Sequence, residues 1–375
     1  MERNQSQLRA VCDRFFIYGD YLVAVPYGSG HINDTYQVTY DQGGMRLHYT
    51  LQRINTSVFK DPVGLMENFS RVTTHMLNKI IAAKLRTVKR TIRLLATRDG
   101  KPYVVDADGN YWRCYIFIEN ARTYDIIESE MHAFKAARTF GEFQSDLVDL
   151  PGGRLNETIP DFHNTPKRLE ALQAAVKADV RGRLKEVGPE LDFIMKRADD
   201  CSRLVNLCAS GDIPERITHN DTKLNNILID DVSGEGICVI DLDTVMPGLV
   251  HYDFGDMVRT GTSPAAEDER DLSKVTMRFE MFEALLRGYL ASADKFLNPC
   301  EREELPFAGK LITLENGIRF LTDYLQGDVY FKIARPSHNL ERCRTQLKLV
   351  ESIEDQFDAM HRLLKEIGPR SAARK

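Results

Sequence analysis

The sequence ITHNDTKLNNIL occupies residues 217–228, and ICVIDLD follows it at residues 237–243 after a hydrophilic turn. Two apolar runs flank a Ser233-Gly234 turn, so this stretch predicts a β-hairpin. Asn226 precedes the first strand of the hairpin, and Asp241 follows the second. The hairpin therefore predicts that these two side chains return to the same end of its strands.

The residue types in this stretch fit the requirements of phosphoryl transfer. Moving a γ-phosphoryl group from ATP to a hydroxyl needs a carboxylate that orients the hydroxyl and accepts its proton, together with oxygen ligands for Mg²⁺. Asp221 is the candidate base, and Asn226 and Asp241 are the candidate metal ligands. A rigid strand–loop–strand frame would hold these groups in place before the reaction begins.

Each residue also has a simpler interpretation. Asp221 and the adjacent asparagines could be turn residues that bind local backbone groups, and Asp241 could simply end a buried strand. The joint spacing favours the catalytic interpretation. It combines His219-x-Asp221, four further residues and Asn226, and then a hairpin that ends at Asp241.

Composition excludes several other classes of protein. The chain has 375 residues, of which 43% are hydrophobic and 28% are charged, values typical of a globular protein with two lobes or domains. A net charge of −5 argues against nucleic acid as a partner. Neither a membrane-spanning run nor a signal peptide is predicted, which leads us to expect a cytoplasmic protein. Seven scattered cysteines indicate reduced thiols rather than disulfides or a zinc site.

The pattern along the chain predicts an α+β fold with two lobes. Strands separated by Gly-rich turns dominate residues 1–120, which we expect to form a nucleotide-binding lobe. Residues 121–375 are mainly helical apart from the hairpin, and should form a catalytic and substrate-binding lobe. The predicted helices lie at 65–81, from 129 onward, within 169–207, and at 274–290, 307–331 and 339–367.

A Gly-rich turn lies between the first two predicted strands. Gly lacks a Cβ, so the backbone N–H groups of such a turn can approach polyphosphate closely. A plain hairpin turn would have the same composition, but its place in a β-rich lobe favours phosphate binding. The candidate residues are Gly28, Ser29, Gly30, His31 and Asn33.

The chain also resembles a known group of enzymes. The motif His219-x-Asp221-x₄-Asn226, with Ile240-Asp241, is similar to that of the aminoglycoside phosphotransferase and choline kinase superfamily, which has a bilobal protein-kinase-like fold. Further strings resemble the bacterial N-acetylhexosamine 1-kinases. They are GHINDTY at 30–36, LQRIN at 51–55, HNDTK at 219–223 and RFLTDYL at 319–325.

This resemblance implies particular functions for individual residues. Asp221 would accept the proton of the anomeric hydroxyl of the sugar, and Asn226 and Asp241 would hold Mg²⁺ with ATP. His219, Asp253 and Asp256 would be structural, and Asp243 could assist the metal or the loop. The backbone of 117–120, including Phe117 and Glu119, would pair with adenine.

The sequence departs from this resemblance in the third strand. Many relatives carry there a lysine that contacts the α- and β-phosphates, but this chain has Gln52 at the corresponding place. Arg53 could supply the charge, although strand alternation directs it to the opposite face of the sheet. Glu67 is a candidate helix partner for this position.

The acceptor is expected to be a sugar. Arg319, Asp323 and Tyr324 fall on one predicted helix beside apolar residues, where they could read hydroxyl groups, although Arg319 and Asp323 could equally form a surface ion pair. The leading hypothesis is an ATP-dependent kinase that makes N-acetylhexosamine 1-phosphate. The alternatives are a kinase of choline, homoserine or another small alcohol, and an inactive kinase-like binding module.

Overall fold

The computed structural model describes residues 4–28, 32–83, 90–124 and 126–368. The chain divides into two compact units. The first unit contains residues 1–122, 149–160 and 228–246, and the second contains 123–148, 161–227 and 247–375. The first unit therefore resembles the predicted lobe 1–120 but includes two later segments, one of which contains most of the hairpin.

Strands outnumber helices in the first part of the chain, whereas helices dominate the rest. Up to residue 147 the elements are α1 (Gln5–Cys12), β1 (Asp20–Pro26), β2 (Asp34–Gln42), β3 (Met45–Arg53), α2 (Pro62–Ala82), β4 (Val104–Val105), β5 (Tyr111–Ile116), β6 (Ala121–Arg122) and α3 (Glu130–Leu147). They continue as α4 (Thr165–Ala178), α5 (Gly188–Met195), α6 (Arg203–Ser210), β7 (Arg216–Thr218), β8 (Ile227–Asp230), β9 (Gly236–Val239), β10 (Met246–Gly248), α7 (Val250–Gly261), α8 (Phe279–Ala293), α9 (Pro299–Glu303), α10 (Leu305–Gln326), α11 (His338–Asp355) and α12 (Phe357–Ile367).

The first unit is built on a five-stranded antiparallel sheet with the order β1-β2-β3-β5-β4. Alternate residues of β2, including Val38, are buried on one face, where they form a core with Leu8 and Cys12 of α1. The register places Gln52 of β3 opposite Arg113 of β5.

A second sheet contains the predicted hairpin. Its order is β6-β8-β9, and β6 runs antiparallel to β8. The turn between β8 and β9 is closed by backbone hydrogen bonds from Asp230 N to Glu235 O and from Gly234 N to Asp230 O. Gly234 has a φ of 62°, a left-handed conformation that Gly adopts without strain.

The core of the second unit lies around α10, whose apolar residues pack with those of α4 and α11. Helix α7 also approaches α10 closely. A Cβ atom at Gly255 would lie 2.4 Å from the carbonyl oxygen of Ala308, so only Gly fits at this point of α7. This close packing fixes the position of Asp253, two residues earlier on the same helix.

The structure confirms the α+β class, with a β-rich first part and a helical second part. Three predicted helices have different limits. The helix predicted at 274–290 begins at Phe279, and the one at 307–331 ends at Gln326 because Gly327 takes a left-handed conformation with φ 99°. The segment predicted as a single helix at 339–367 is interrupted at Gln356. Within the described ranges, no helix is both long and apolar enough to cross a membrane.

Candidate active site

In the second unit, the loop that follows β7 is held by a single buried carboxylate. Asp253 Oδ2 accepts a hydrogen bond from the backbone N–H of His219 at 2.9 Å, and Oδ1 accepts one from Asn220 at 2.7 Å. Gln144 donates to Oδ2, and the hydroxyl of Thr222 donates to the backbone oxygen of Asp253. Burial raises the pKa of Asp253, and His219 and these donors oppose the rise. The structural function predicted for Asp253 is therefore observed directly.

The same loop is held from its other side by His163. Its Nε2 lies 3.1 Å from the backbone oxygen of Asn220, and its Nδ1 lies 2.7 Å from Glu315 Oε1. Thr165 donates to the other oxygen of Glu315. All three side chains are buried, and Asn220 has a left-handed φ of 66°. The sequence did not predict His163, since it lies 57 residues before Asn220, which it contacts, and outside any motif.

Asp221 follows directly and carries the side chain predicted to act as a base. Lys223 Nζ lies 2.9 Å from Asp221 Oδ1, and Asn226 Nδ2 lies 3.1 Å from Oδ2. Burial alone would raise the pKa of Asp221, but the charge of Lys223 and its hydrogen bond, together with His219 and Arg259, outweigh burial and lower the pKa below its ordinary value. The lowered pKa keeps the Asp221 carboxylate anionic. The side chain is 29% exposed and therefore accessible.

Two further residues of the loop support this arrangement. The backbone N–H of Asp221 donates to His219 Nδ1 at 3.3 Å, which agrees with a structural function for His219. Asn226 Nδ2 also donates to the backbone oxygen of Asp221 at 2.8 Å. The amide nitrogen of Asn226 is thus fully used on Asp221, which leaves the amide oxygen as the atom suited to a cation.

In the first unit, Asp241 and Asp243 lie in a turn directly after β9 and differ sharply in environment. Asp241 is exposed and adopts a left-handed conformation with φ 56°, which is uncommon for a residue with a side chain. Asp243 is buried, forms an ion pair with Arg113, and accepts a hydrogen bond from Asn33 Nδ2 at 2.5 Å. Only Asp241 is therefore exposed enough to meet a metal ion from solvent.

Gln52 and Arg53, the two candidates for the place of the third-strand lysine, both bind other protein groups in this structure. Gln52 donates to Thr35 of β2 at 3.0 Å and accepts from Arg113 Nε of β5 at 2.9 Å. Its side chain therefore connects β3 to both neighbouring strands. Arg53 forms an ion pair with Asp34. The suggested helix partner Glu67 is also occupied elsewhere, since its carboxylate contacts Arg71 at 3.7 Å and Asn156 at 3.2 Å.

The structure describes only some of the other residues predicted to bind nucleotide. Ser29, Gly30 and His31 lie outside the described residues, and Gly28 has a φ of 82°. In the predicted adenine segment, the N–H of Phe117 already donates to His48 O at 3.2 Å. Glu119 accepts on its side chain from His48 and on its backbone oxygen from Arg90. Any adenine contact would therefore fall to the remaining backbone groups of Ile118 and Glu119.

The three predicted acceptor residues do lie on α10, but in different surroundings. Asp323 is buried and accepts from the backbone N–H groups of Val329, Tyr330 and Phe331 and from Asn339. The Tyr324 hydroxyl donates to Glu186 at 2.7 Å. These contacts favour structural functions for Asp323 and Tyr324, and their direct contact with a substrate stays a prediction.

Arg319 is the exception among these three residues. Its guanidinium carbon lies 5.2 Å from the ring centre of Phe162 and 5.6 Å from that of Phe331. Within the described parts of the chain it has no carboxylate within ion-pair distance, so the predicted alternative of an Arg319–Asp323 pair is not observed. Among the described residues, its one hydrogen bond is to Asn316 and is long at 3.4 Å. Arg319 is half-buried and available to a ligand.

A unit with a five-stranded antiparallel sheet and a helical unit with an anchored His-x-Asp-x₄-Asn loop together define a kinase-like phosphotransferase. The chain belongs to the phosphotransferase enzyme family (APH), whose family model matches residues 23–274. The superfamily resemblance predicted from the catalytic motif is thereby confirmed. Its refinement to the N-acetylhexosamine 1-kinases stays a prediction.

Solved structures share the fold. An aminoglycoside phosphotransferase from Alicyclobacillus acidocaldarius is 12% identical with a TM-score of 0.58, and the match covers 96% of each chain. Spectinomycin phosphotransferase, solved with ADP and spectinomycin, is 12% identical with a TM-score of 0.56, over 96% of this chain and 99% of that one. An ethanolamine kinase from Plasmodium vivax is 17% identical with a TM-score of 0.53, over 86% and 82% respectively.

We predict that Lys223 determines the protonation of Asp221. In Lys223→Met, burial of Asp221 is no longer opposed by the neighbouring charge, so the pKa of the Asp221 carboxyl should rise. The titration can be followed by ¹³C NMR of carboxyl-labelled protein, with Asp221→Asn used to assign the signal. The exposed Lys196→Met serves as the control. An unchanged Asp221 titration in Lys223→Met would contradict this explanation.

Proposed function

We propose that the protein is a Mg²⁺- and ATP-dependent kinase that phosphorylates the anomeric hydroxyl of N-acetylhexosamines, GlcNAc or GalNAc, to give the sugar 1-phosphate. The observation that carries the proposal is the accessible, anionic Asp221 on a loop fixed by Asp253 and His163. A base that must meet a hydroxyl needs to be both unprotonated and preorganised.

In this mechanism the Asp221 carboxylate binds the acceptor hydroxyl and directs its oxygen at the γ-phosphorus. As the new O–P bond forms, the bond to the β-phosphate oxygen breaks, ADP leaves, and the hydroxyl proton passes to Asp221. Lys223 keeps Asp221 anionic before the reaction. Asn226 holds the carboxylate in position through its amide nitrogen.

The same proposal assigns Mg²⁺ to Asn226 and Asp241. When bound, the ion would supply positive charge to the β- and γ-phosphates. Each donor taken by itself suits Mg²⁺, since Asn226 uses its amide nitrogen on Asp221 and keeps an amide oxygen, and Asp241 is an exposed residue with a carboxylate. Mg²⁺ commonly takes only one or two protein ligands and fills the remaining positions with phosphate and water oxygens.

For the nucleotide we propose the predicted group of residues in the first unit: Gly28, Ser29, Gly30, His31, Asn33, Gln52, Phe117 and Glu119. The contacts of these residues indicate which of them could meet the nucleotide directly. Asn33 and Gln52 are bound to Asp243 and Arg113, which favours an indirect function for both. The backbone around Glu119 is the better candidate for adenine.

Charge around Arg319 favours a neutral, oxygen-rich acceptor. The pKa of Arg168 is lowered by its burial and by the charge of Arg319, so two guanidinium groups lie close enough to repel each other. The nearby Glu315 is already paired with His163. A cationic acceptor such as choline would add to the repulsion, whereas sugar hydroxyl and acetamido oxygens would accept hydrogen bonds. Homoserine or another small alcohol, and an inactive binding module, are the alternatives.

An acceptor panel tests the proposed function. The purified protein is incubated with ATP, Mg²⁺ and one of GlcNAc, GalNAc, choline, ethanolamine or homoserine, and the products are examined by ³¹P NMR. We expect a sugar phosphate whose phosphorus couples to H1, and no product after EDTA treatment. Phosphate on C6 or on a non-sugar alcohol would contradict the proposed acceptor, and the absence of any transfer would favour the binding module.

Arg319→Ala is predicted to impair acceptor binding selectively. If the guanidinium binds sugar oxygens, its loss should lower kcat/KM for the sugar about ten- to hundred-fold, because a polar partner is left unmatched. The KM for ATP should change by less than about two-fold. Arg362→Ala, on the exposed side of α12, serves as the control. Equal losses for ATP and sugar would show that Arg319 is structural.

A further inference from the structure

The first unit contains a buried cation at the place where a charge is missing from the third strand. Arg113 lies on β5 directly opposite Gln52, and its side chain is 1% exposed. The guanidinium carbon lies 4.2 Å from the ring centre of Phe69, Nε donates to Gln52, and Nη1 forms the ion pair with Asp243. Sequence patterns gave no sign of it, because Arg113 occupies an inward position that normally carries an apolar residue.

The electrostatic environment ties Arg113 to the Asp241–Asp243 turn. Removing a guanidinium group from water is costly unless a carboxylate and further hydrogen bonds compensate for it. Asp243 supplies the direct partner. Asp241 also acts on Arg113, since its negative charge contributes to the raised pKa of the guanidinium although burial opposes the rise. The cation therefore interacts with the proposed metal ligand as well as with its own ion-pair partner.

A second connection runs from the same turn to the Gly-rich segment. Asn33 donates to the Asp243 oxygen that Arg113 does not use, and its own amide oxygen accepts from the backbone N–H of Asn55. Both oxygens of Asp243 are thus occupied by donors from the five-stranded sheet and its connections. Asp243 cannot turn towards a metal without breaking these bonds.

We propose that Arg113 is a positioning residue that replaces the absent strand-three lysine by holding the Asp241 turn in shape for Mg²⁺–nucleotide. This inference rests on the proposed function. Because Arg113 is buried and already paired, it does not contact phosphate itself. It acts through Asp243, whose fixed position determines where Asp241 presents its carboxylate. Gln52 serves to hold the Arg113 side chain, which explains why an uncharged residue occupies that strand position.

If Arg113 acts only through a metal ligand, its effect on nucleotide affinity should depend on Mg²⁺. A lysine that touches phosphate binds nucleotide with or without metal, whereas a cation that only shapes a metal ligand matters only when the metal is present. The contribution of Arg113 should therefore be visible with MgADP and absent with ADP in EDTA. A purely structural ion pair would affect both equally through the folded fraction.

The test is isothermal titration calorimetry on Arg113→Met, which keeps the bulk of the side chain but removes its charge. We expect MgADP affinity to fall about ten- to hundred-fold, while the affinity for ADP in EDTA stays within about two-fold. Arg113→Lys should recover part of the loss. In the double variant Gln52→Lys/Arg113→Met, a charge placed on the third strand should also recover part of it.

Control variants distinguish the proposed function of Arg113 from the proposed kinase function of the protein. Arg53→Met removes the neighbouring surface pair and should leave both affinities unchanged. If Arg113→Met does not fold, Gln52→Met removes only one bond to the guanidinium and should weaken MgADP binding alone by a few-fold. Unchanged MgADP affinity, or equal losses with and without metal, overturns the inference while wild-type turnover stands. A wild-type protein that binds no MgADP and transfers no phosphate overturns the proposed function as well.

Discussion

The loop that carries Asp221 depends on one buried carboxylate. Asp253 accepts the backbone N–H groups of two successive residues, His219 and Asn220, and this pair of bonds defines the conformation from which Asp221 projects. The carboxylate can occupy that position because Gly255 lets α7 pack directly on α10. Buried charge is tolerated here since each Asp253 oxygen is matched by donors. The geometry of the proposed base is thus determined by helix packing rather than by the loop itself.

The first unit has a comparable arrangement, in which the buried group that holds the turn is a cation instead of a carboxylate. There a buried cation, Arg113, holds a buried carboxylate, Asp243, in the turn that exposes Asp241. In both units a residue that we propose to meet ligand is accessible, and a neighbouring charged residue is buried. Non-Gly residues with left-handed backbones, Asn220 and Asp241, occur at both places. Such conformations persist where surrounding contacts enforce them, and they are common at functional sites.

Much of the fold and part of the candidate site could be predicted from sequence, because strand alternation, helical periodicity and the spacing of the catalytic motif are local signals. The hairpin, α2 and α3 follow from them, as does the structural function of Asp253 from the resemblance. His163 and Arg113 could not be predicted, since their partners lie 57 and 130 residues away. The partners of Asp323 could not be predicted for a related reason, since the segment after Gly327 was expected to be helical.

The proposed function of Asp221 as the base of a phosphoryl-transfer reaction is tested most directly by the rate of transfer in Asp221→Asn. The amide keeps the size of the side chain but cannot accept the hydroxyl proton. We predict that single-turnover transfer from ATP falls on the order of 10²–10⁴-fold, while calorimetry shows MgADP affinity within a few-fold of wild type. A folded Asp221→Asn protein that transfers phosphate at a rate within a few-fold of wild type would contradict the account.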